Sequence, residues 1–396
     1  MNILFLEGEN PIANFIERRI NKLSEDKSLK IFIHVHLSQR INCTAGNVTY
    51  LYKINLKQDF NLSMRRLLVT FPSFFFRMKK IYRYAPHDFN ILKKINWSLY
   101  YNEIVVDQID IIHLQYIGQF SLVGWTKMLY KSLFISSVRG AQVTHMADTI
   151  PGYINTITNA FSGSDFIHCV SNSLKERCIF LGADPSKVFV NYNGINLRKY
   201  LPNTGVSAQQ DVLKLITVSS LTWRKGIIYQ LLALKKIKEI LPGANVELLI
   251  IGEGPENIQI QYTSQKMGLA PNVKLLGKKN EPEIVELLQN AHIYLTTSAA
   301  EGLSNSVMEG LSCGLPVIAF DCEGAAELIN HGETGFIVEY GNVDKYAKCL
   351  QLLITDNQLL KKMSVNARRK MEKEFDIETH ATKMINFYKH KGIQFQ

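Results

Sequence analysis

Short runs of apolar and β-branched residues alternate with longer amphipathic stretches along both halves of the chain. In the first half these runs predict strands at 2–6, 29–34, 109–113, 133–138, 166–170 and 188–192, with helical patterns at 15–23 and 173–181. In the second half they predict strands at 213–219, 246–251, 273–276, 293–297, 317–320 and 335–338, and helices at 227–240, 281–288 and 343–354. Strands that are apolar throughout are buried on both faces, which predicts parallel sheets covered by helices.

An uncharged segment divides this pattern in two. Residues 201–210 contain both Pro202 and Gly205 and little hydrophobic periodicity, which is typical of a linker. We therefore predict a first domain at 1–200 and a second at 211–376. Two Rossmann-like, doubly wound α/β domains that face each other share a cleft at the carboxyl ends of their strands, where ligands bind in this architecture.

The composition excludes several classes of protein. Of the 396 residues, 46% are hydrophobic and 20% charged, which is ordinary for globular domains and unlike a disordered chain. No uncharged apolar run approaches the roughly 20 residues that cross a bilayer, and no basic leader precedes the first predicted strand. We expect a cytoplasmic protein. The six cysteines lie far apart without zinc-ligand spacing, which indicates reduced core residues.

The formal net charge of +10 is unevenly distributed. Residues 1–200 hold 24 Lys and Arg against 14 Asp and Glu, whereas residues 201–396 hold 21 of each. Within the first half, residues 64–84 combine six cations with large apolar side chains and no acid, which suits an anionic membrane surface. Alternatively, Phe74, Phe75 and Phe76 pack inward while the cations are solvated. No nucleic-acid-binding motif is present, so we expect no nucleic-acid partner.

The segment 297–319 carries the most informative chemistry. A predicted strand ends, a loop brings Glu301, and a helix begins among Ser and Asn residues before Gly314 and Pro316 stop it. The unpaired N–H groups and the dipole at that helix start attract an anion such as a diphosphate. Glu309, inside the helix, can accept hydrogen bonds from a ribose diol. The alternative is a capping box in which Ser306 and Glu309 only satisfy backbone donors.

Six segments in the same order resemble the motifs of the family-four (group 1) glycosyltransferases, retaining enzymes of GT-B fold that use nucleotide sugars. Residues 301–319 resemble the E(x7)E signature of that family. The other matching segments are the D-x-x-H strand at 110–113, the N-G segment at 188–196, the L-x-x-x-K-G loop at 221–226, the G-x-G-P strand end at 250–255 and the strand 273–277 before the base pocket.

The resemblance implies a role for each matching residue. Glu309 holds the ribose, Glu301 addresses the donor sugar, and Lys225, helped by Arg224, neutralises the departing diphosphate. The expected catalytic residues are Glu301, Lys225 and Arg139, and the expected substrate-binding residues are Arg224, Gly277, Gly302, Leu303, Ser304, Asn305, Ser306 and Glu309. The resemblance also implies that a C-terminal helix at about 377–390 crosses back onto the first domain.

The chain departs from the family in three places. The N-terminal Gly-Gly loop of the family is absent from residues 6–11, and the other two departures lie in the predicted cleft. Arg139 stands where the family has a histidine, and Ser219-Ser220-Leu221 lacks the usual arginine. Arg139 is able to stabilise charge across the cleft but not to act as a neutral-imidazole base. His113 and His168 lie in predicted strands, where hydrogen-bonded core histidines are common; for His113 an acceptor-facing position is the alternative.

The implied function is retaining transfer of a hexose-type sugar from a UDP- or GDP-sugar to a hydroxyl acceptor. The acceptor class implied is a lipid-linked glycan in bacterial surface polysaccharide biosynthesis (capsule, exopolysaccharide or O-antigen), with the enzyme peripheral on the inner face of the cell membrane. In the family the leaving diphosphate takes the proton of the acceptor, so neither a cofactor nor a metal is expected. The alternatives are a sugar-nucleotide epimerase of the same fold and a catalytically inactive scaffold or binding module.

Overall fold

The computed structural model describes residues 1–6, 14–36, 45–53, 76–86, 89–106, 108–202 and 212–394. Within these ranges the chain forms two parallel sheets, one of seven strands and one of six, each covered by helices. The predicted α/β class with two parallel sheets is therefore confirmed.

The first sheet lies in the N-terminal half and has the strand order β3-β2-β1-β4-β5-β6-β7. Its strands are β1 (Asn2–Leu6), β2 (Lys30–His36), β3 (Val48–Lys53), β4 (Ile111–Leu114), β5 (Leu133–Val138), β6 (Phe166–Cys169) and β7 (Val188–Val190). All described residues of β4 and β5 are buried, as expected for strands with helices on both faces. The strand order reverses between β1 and β4, and such a switch point opens a crevice at the carboxyl edge.

The second sheet has the order β10-β9-β8-β11-β12-β13 and its own reversal between β8 and β11. Its strands are β8 (Leu213–Val218), β9 (Val246–Ile251), β10 (Val273–Leu275), β11 (Ile293–Thr296), β12 (Val317–Phe320) and β13 (Gly335–Val338). All twelve strands predicted from the sequence are present, with ends shifted by at most two residues. The edge strand β3 was not predicted.

The helices follow the strands in both halves. Those of the first half are α1 (Asn14–Leu23), α2 (Ile91–Tyr100), α3 (Phe120–Val123), α4 (Thr126–Tyr130), α5 (His145–Thr149), α6 (Tyr153–Gly163) and α7 (Asn172–Phe180). Those that follow are α8 (Ile227–Ile240), α9 (Asn257–Lys266), α10 (Glu281–Gln289), α11 (Asn305–Ser312), α12 (Ala325–Leu328), α13 (Val343–Thr355), α14 (Asn357–Glu374) and α15 (Ile377–Gln394).

The last helix, α15, packs on the first domain. Its Met384 and Tyr388 are fully buried in the core that also contains Ile16 and Ile20 of α1. Gly194, at φ +72°, lies where the chain enters this helix, and a Cβ there would come within 2.6 Å of the Cα of Ile377. The N-G segment therefore needs its glycine for both the left-handed backbone and the close approach of α15.

Two further sequence predictions concern segments that lie partly outside the described residues. Residues 203–211 are outside them, so most of the predicted linker 201–210 stays a prediction. Residues 64–75 of the basic segment are also outside, whereas residues 76–82 form a helix on which the side chain of Phe76 is 72% exposed. Over the ranges given above, no helix is both long and apolar enough to span a bilayer.

Candidate active site

A cleft of about 810 Å³ separates the two domains at the carboxyl ends of their sheets. Residues of both domains line it. The first domain contributes Tyr116, Arg139, Ala141, Gln142, Val170 and Asn193, and the second contributes Val218, Ser219, Ser220, Lys225, Ile251, Gly252, Glu253, Lys278, Lys279, Ile284, Glu301, Leu303, Ser304, Asn305, Ser306 and Glu309. The topological switch points therefore open onto a shared cleft.

The start of α11 forms one wall of this cleft. Ser304 is the N-cap residue, and its side chain makes no capping hydrogen bond. Because the first turn of a helix has no intrahelical acceptors, the backbone N–H groups of residues 305–307 point out of the helix end, and we find no acceptor for them among the described residues. These donors and the helix dipole favour an anion at this wall.

Glu309 projects from the same helix but caps nothing. Its Oε1 accepts hydrogen bonds from Nη1 and Nη2 of Arg18, both at 3.0 Å, and from the Tyr200 hydroxyl at 3.0 Å. Burial raises the pKa of Glu309, and the Arg18 guanidinium opposes that rise. The capping-box interpretation of Ser306 and Glu309 is wrong, because the helix begins at Asn305 and the carboxylate is bound by side chains instead.

Lys225 and Glu301 form an ion pair within the cleft. Lys225 ends a 3₁₀ turn at Trp223–Lys225, and its Nζ contacts Oε1 of Glu301, which also accepts a hydrogen bond from Ser298 Oγ at 3.2 Å. Only 14% of the Lys225 side chain and 18% of the Glu301 side chain is exposed. Burial and the neighbouring Arg224 lower the pKa of Lys225 to about 8.

Arg139 approaches from the first domain. Its guanidinium donates to the Gln115 carbonyl at 2.9 Å and to Oδ1 of Asn193 at 3.0 Å. Its own backbone meets the second domain, since a Cβ on Gly302 would lie 2.4 Å from the Arg139 carbonyl oxygen. Asn193 also reaches across the cleft and donates to Oδ1 of Asn305 at 3.4 Å. The first domain therefore presents a fixed cation opposite the start of α11.

Residues 206–370 match the family model described as glycosyl transferases group 1. Over these residues the chain has the sequence of a group 1 glycosyltransferase. The chain is 23% identical over 342 residues to an N-acetyl-alpha-D-glucosaminyl L-malate synthase of Bacillus anthracis, a match that covers 82% of the chain and 86% of the relative. It is 30% identical over 233 residues to a UDP-Gal:alpha-D-GlcNAc-diphosphoundecaprenol alpha-1,3-galactosyltransferase of Escherichia coli, covering 56% of the chain and 59% of the relative.

Its match to several further curated relatives spans between 36% and 61% of their length. Among solved structures it resembles Anabaena Alr3699/HepE, crystallised with UDP and glucose, with a TM-score of 0.74 at 17% identity over 98% of this chain and 100% of the other. Staphylococcus aureus TarM has a TM-score of 0.74 at 14% identity over 98% and 99%. These likenesses confirm the GT-B fold expected from the sequence.

The structure brings most of the expected residues together. Those that line the cleft are Arg139, Lys225, Glu301, Leu303, Ser304, Asn305, Ser306 and Glu309. The other three lie beside it: Gly302 packs on Arg139, the Arg224 carbonyl accepts from the Ala299 N–H at 2.8 Å, and the Gly277 carbonyl accepts from the Gly252 N–H at 2.9 Å. Their roles toward a donor stay predictions.

Sequence reasoning missed the partners of Glu309. Arg18 lies 291 residues away from Glu309 in the chain, and Tyr200 lies 109 residues away. No local pattern distinguishes Arg18 from the other cations of an amphipathic first helix. Tyr200 carried a weak signal, since a tyrosine next to a domain boundary is suited to bury its ring and keep its hydroxyl at a polar interface.

His113 does not face the cleft, so the acceptor-facing alternative is wrong. Its Nδ1 lies 2.6 Å from the Tyr388 hydroxyl and its Nε2 2.8 Å from Ser137 Oγ, which in turn lies 2.8 Å from His168 Nδ1. His168 Nε2 must donate to the Asn191 carbonyl at 2.8 Å, because a carbonyl only accepts. Both imidazoles are buried, and burial lowers the pKa of each well below the usual value. They form a neutral structural chain from α15 across the first sheet.

Proposed function

We propose that this glycosyltransferase moves a hexose-type sugar from a nucleoside diphosphate sugar to a hydroxyl acceptor with retention of anomeric configuration. The observation that carries the proposal is the grouping of the start of α11, Lys225 and Glu309 along one wall of the cleft. Free N–H donors and a cation suit a diphosphate, and a carboxylate about one turn further suits the ribose diol. UDP is the favoured nucleotide, because HepE and the pneumococcal transferase GtfA were crystallised with UDP.

A donor that enters the cleft would have to separate the ion pair between Lys225 and Glu301. A diphosphate at the start of α11 attracts the Lys225 ammonium away from Glu301. The released Glu301 carboxylate then accepts hydrogen bonds from hydroxyls of the donor sugar. As the glycosidic bond breaks, negative charge develops on the phosphate oxygens, and Lys225 and the helix N–H groups stabilise it.

On the opposite wall, the Arg139 guanidinium holds positive charge close to the reacting centre. We propose that the leaving diphosphate takes the proton of the acceptor on the face it leaves, which requires neither a protein nucleophile nor a metal. Arg139 then adds to the stabilisation of the diphosphate, since a guanidinium stays charged and cannot remove the proton itself.

The acceptor we propose is a lipid-linked glycan in bacterial surface polysaccharide assembly. Two relatives support it by their names, the diphosphoundecaprenol galactosyltransferase of Escherichia coli and the amylovoran biosynthesis glycosyltransferase AmsK of Erwinia amylovora. We further propose that residues 64–84 bring the enzyme to an anionic membrane surface. The apolar side chain of Phe76 is 72% exposed, and those of Ile91 and Leu92, nearby in sequence, are 69% and 72% exposed.

A transfer assay tests this function. The enzyme is incubated with UDP-glucose, UDP-galactose, UDP-N-acetylglucosamine or GDP-mannose, with and without a short-chain polyprenyl diphosphate sugar. We expect nucleotide release to need the acceptor and one donor to be used, with the α-anomer found in the product by NMR. A β-linked product contradicts retention, interconverted nucleotide sugars without an acceptor indicate an epimerase, and intact donors indicate a scaffold.

A further inference from the structure

A cluster of charged side chains crosses the domain interface behind Glu309. Arg18 on α1 of the first domain donates to Glu309 of α11 and, at 2.5 Å, to Glu281 at the start of α10. Lys199 and Tyr200, which precede the predicted linker, also bind Glu281. The carboxylate proposed to hold the ribose is therefore bound by a cation from the opposite domain.

The geometry leaves one oxygen of Glu309 for a ligand. All three donors from Arg18 and Tyr200 converge on Oε1, and no side chain in the described part of the chain donates to Oε2. Glu309 lines the cleft, whereas Arg18 is not among the residues that line it and borders a separate polar cavity of about 830 Å³. Arg18 therefore supports the carboxylate from behind and does not occupy the space in front of it.

The surroundings of Glu309 make this support necessary. The residue is 8% exposed, and Arg18 provides the salt bridge that the described side chains make to it. A buried carboxylate that loses its counter-charge takes up a proton or turns toward water. Either change removes an ordered acceptor for the ribose hydroxyls.

We propose that Arg18 is a positioning residue for nucleotide recognition, which orients Glu309 as a carboxylate and does so from the other domain. Ribose binding is then complete only while the first domain is docked on the second, so the contact couples domain closure to the choice of a ribonucleotide. This inference rests on the proposed function, in which Glu309 binds the ribose.

The test compares UDP with 2′,3′-dideoxy-UDP, which lacks the hydroxyls that Glu309 would bind. Calorimetric titrations use the full chain as wild type, Arg18→Gln, Arg18→Lys and the control Lys199→Gln, which removes a cation of the cluster that does not touch Glu309. We expect wild type to prefer UDP by about tenfold or more, the size typical of hydrogen bonds to a charged group. Arg18→Gln should lose that preference through weaker UDP binding alone.

Arg18→Lys should keep part of the preference, because it retains the charge but not the two-pronged contact. Lys199→Gln should keep all of it. The inference is overturned if Arg18→Gln weakens the binding of both nucleotides equally or leaves both affinities unchanged. It is also overturned if the variant binds UDP more tightly, which would make Arg18 a competitor of the ribose. If Arg18→Gln does not fold, the inference is overturned when Arg18→Lys keeps the whole preference for UDP or loses all of it. A wild type that does not distinguish the nucleotides contradicts the proposed function itself.

Discussion

At the scale of single residues, the cleft is organised by two carboxylates that are each bound to a cation. Glu309 is held by Arg18 from the first domain, and Glu301 is held by Lys225 from its own domain. Under the proposed function the two pairs respond differently to a donor. A ribose would add to the first pair, whereas a diphosphate would compete with Glu301 for Lys225 and so separate the second.

The Glu309→Ala variant should no longer bind the nucleotide part of a donor. UDP at 100 times its Kd should stabilise wild type by about 2.7 kcal/mol, visible as a rise in unfolding temperature. Glu309→Ala should show almost no rise at that concentration, and the exposed control Glu286→Ala should respond as wild type does. An unchanged response of Glu309→Ala would mean that this carboxylate does not touch the ligand.

Donor binding should weaken at alkaline pH because of Lys225. Its pKa of about 8 means that the side chain is charged below this pH and loses its proton as the pH rises through it. The Kd for UDP should therefore increase up to about tenfold per pH unit above 8, measured between pH 7 and 9.5. Lys225→Arg should remove this dependence, since a guanidinium stays charged. A wild-type Kd that is constant over this range refutes the role of the lysine.

At the scale of elements, the parts visible in the sequence are those fixed by burial. Strand β12 was predicted at its observed bounds, because a strand covered on both faces is apolar throughout. The edge strand β3 escaped prediction because Val48–Lys53 mixes polar and aromatic residues at the border of its sheet.

The start of α11 was also visible in the sequence, since Ser and Asn precede an apolar run that a glycine ends. Its contact with α1 was not, because an ion pair between residues 291 positions apart leaves no periodicity. The same holds for α15, whose buried Tyr388 binds a histidine 275 positions away.

The hydrogen-bond chain that anchors α15 should contribute measurably to stability. Tyr388→Phe removes the donor to His113 Nδ1 and leaves a buried acceptor without a partner, which costs about 1–3 kcal/mol. Urea denaturation should show this loss in the free energy of unfolding, and Tyr262→Phe, at a side chain that is 59% exposed, should change it little. Equal stability of Tyr388→Phe and wild type would show that these hydrogen bonds contribute no net stability.

At the scale of the whole molecule, the two domains differ in net charge as well as in their proposed roles. The electrically balanced second half carries the carboxylates and the helix end proposed to bind the donor, while the excess of +10 belongs to the first half. Residues 76–84, the described part of the basic segment, and the last helix both belong to the first domain in space. A membrane-bound acceptor would then meet the first domain, and closure of the cleft would bring it to the donor and exclude water.

Removal of charge from the basic segment should release the enzyme from anionic membranes. The triple variant Arg77→Ala, Lys79→Ala, Lys80→Ala should lower its partition onto phosphatidylserine vesicles by about a hundredfold, at about 1 kcal/mol for each cation. The triple variant Lys361→Ala, Lys362→Ala, Lys373→Ala on α14 is the matched control and should bind as wild type does. Vesicle binding that neither added salt nor the first set of substitutions weakens would exclude an electrostatic attachment.

The central claim is that the second domain holds a nucleoside diphosphate between the start of α11 and Glu309. A crystal structure of the enzyme with UDP measures this directly. We expect phosphate oxygens within about 3.2 Å of the backbone nitrogens of residues 305–307, and a ribose hydroxyl at the same distance from Glu309 Oε2. UDP bound at another place, or a cleft that stays empty at saturating UDP, would contradict the account.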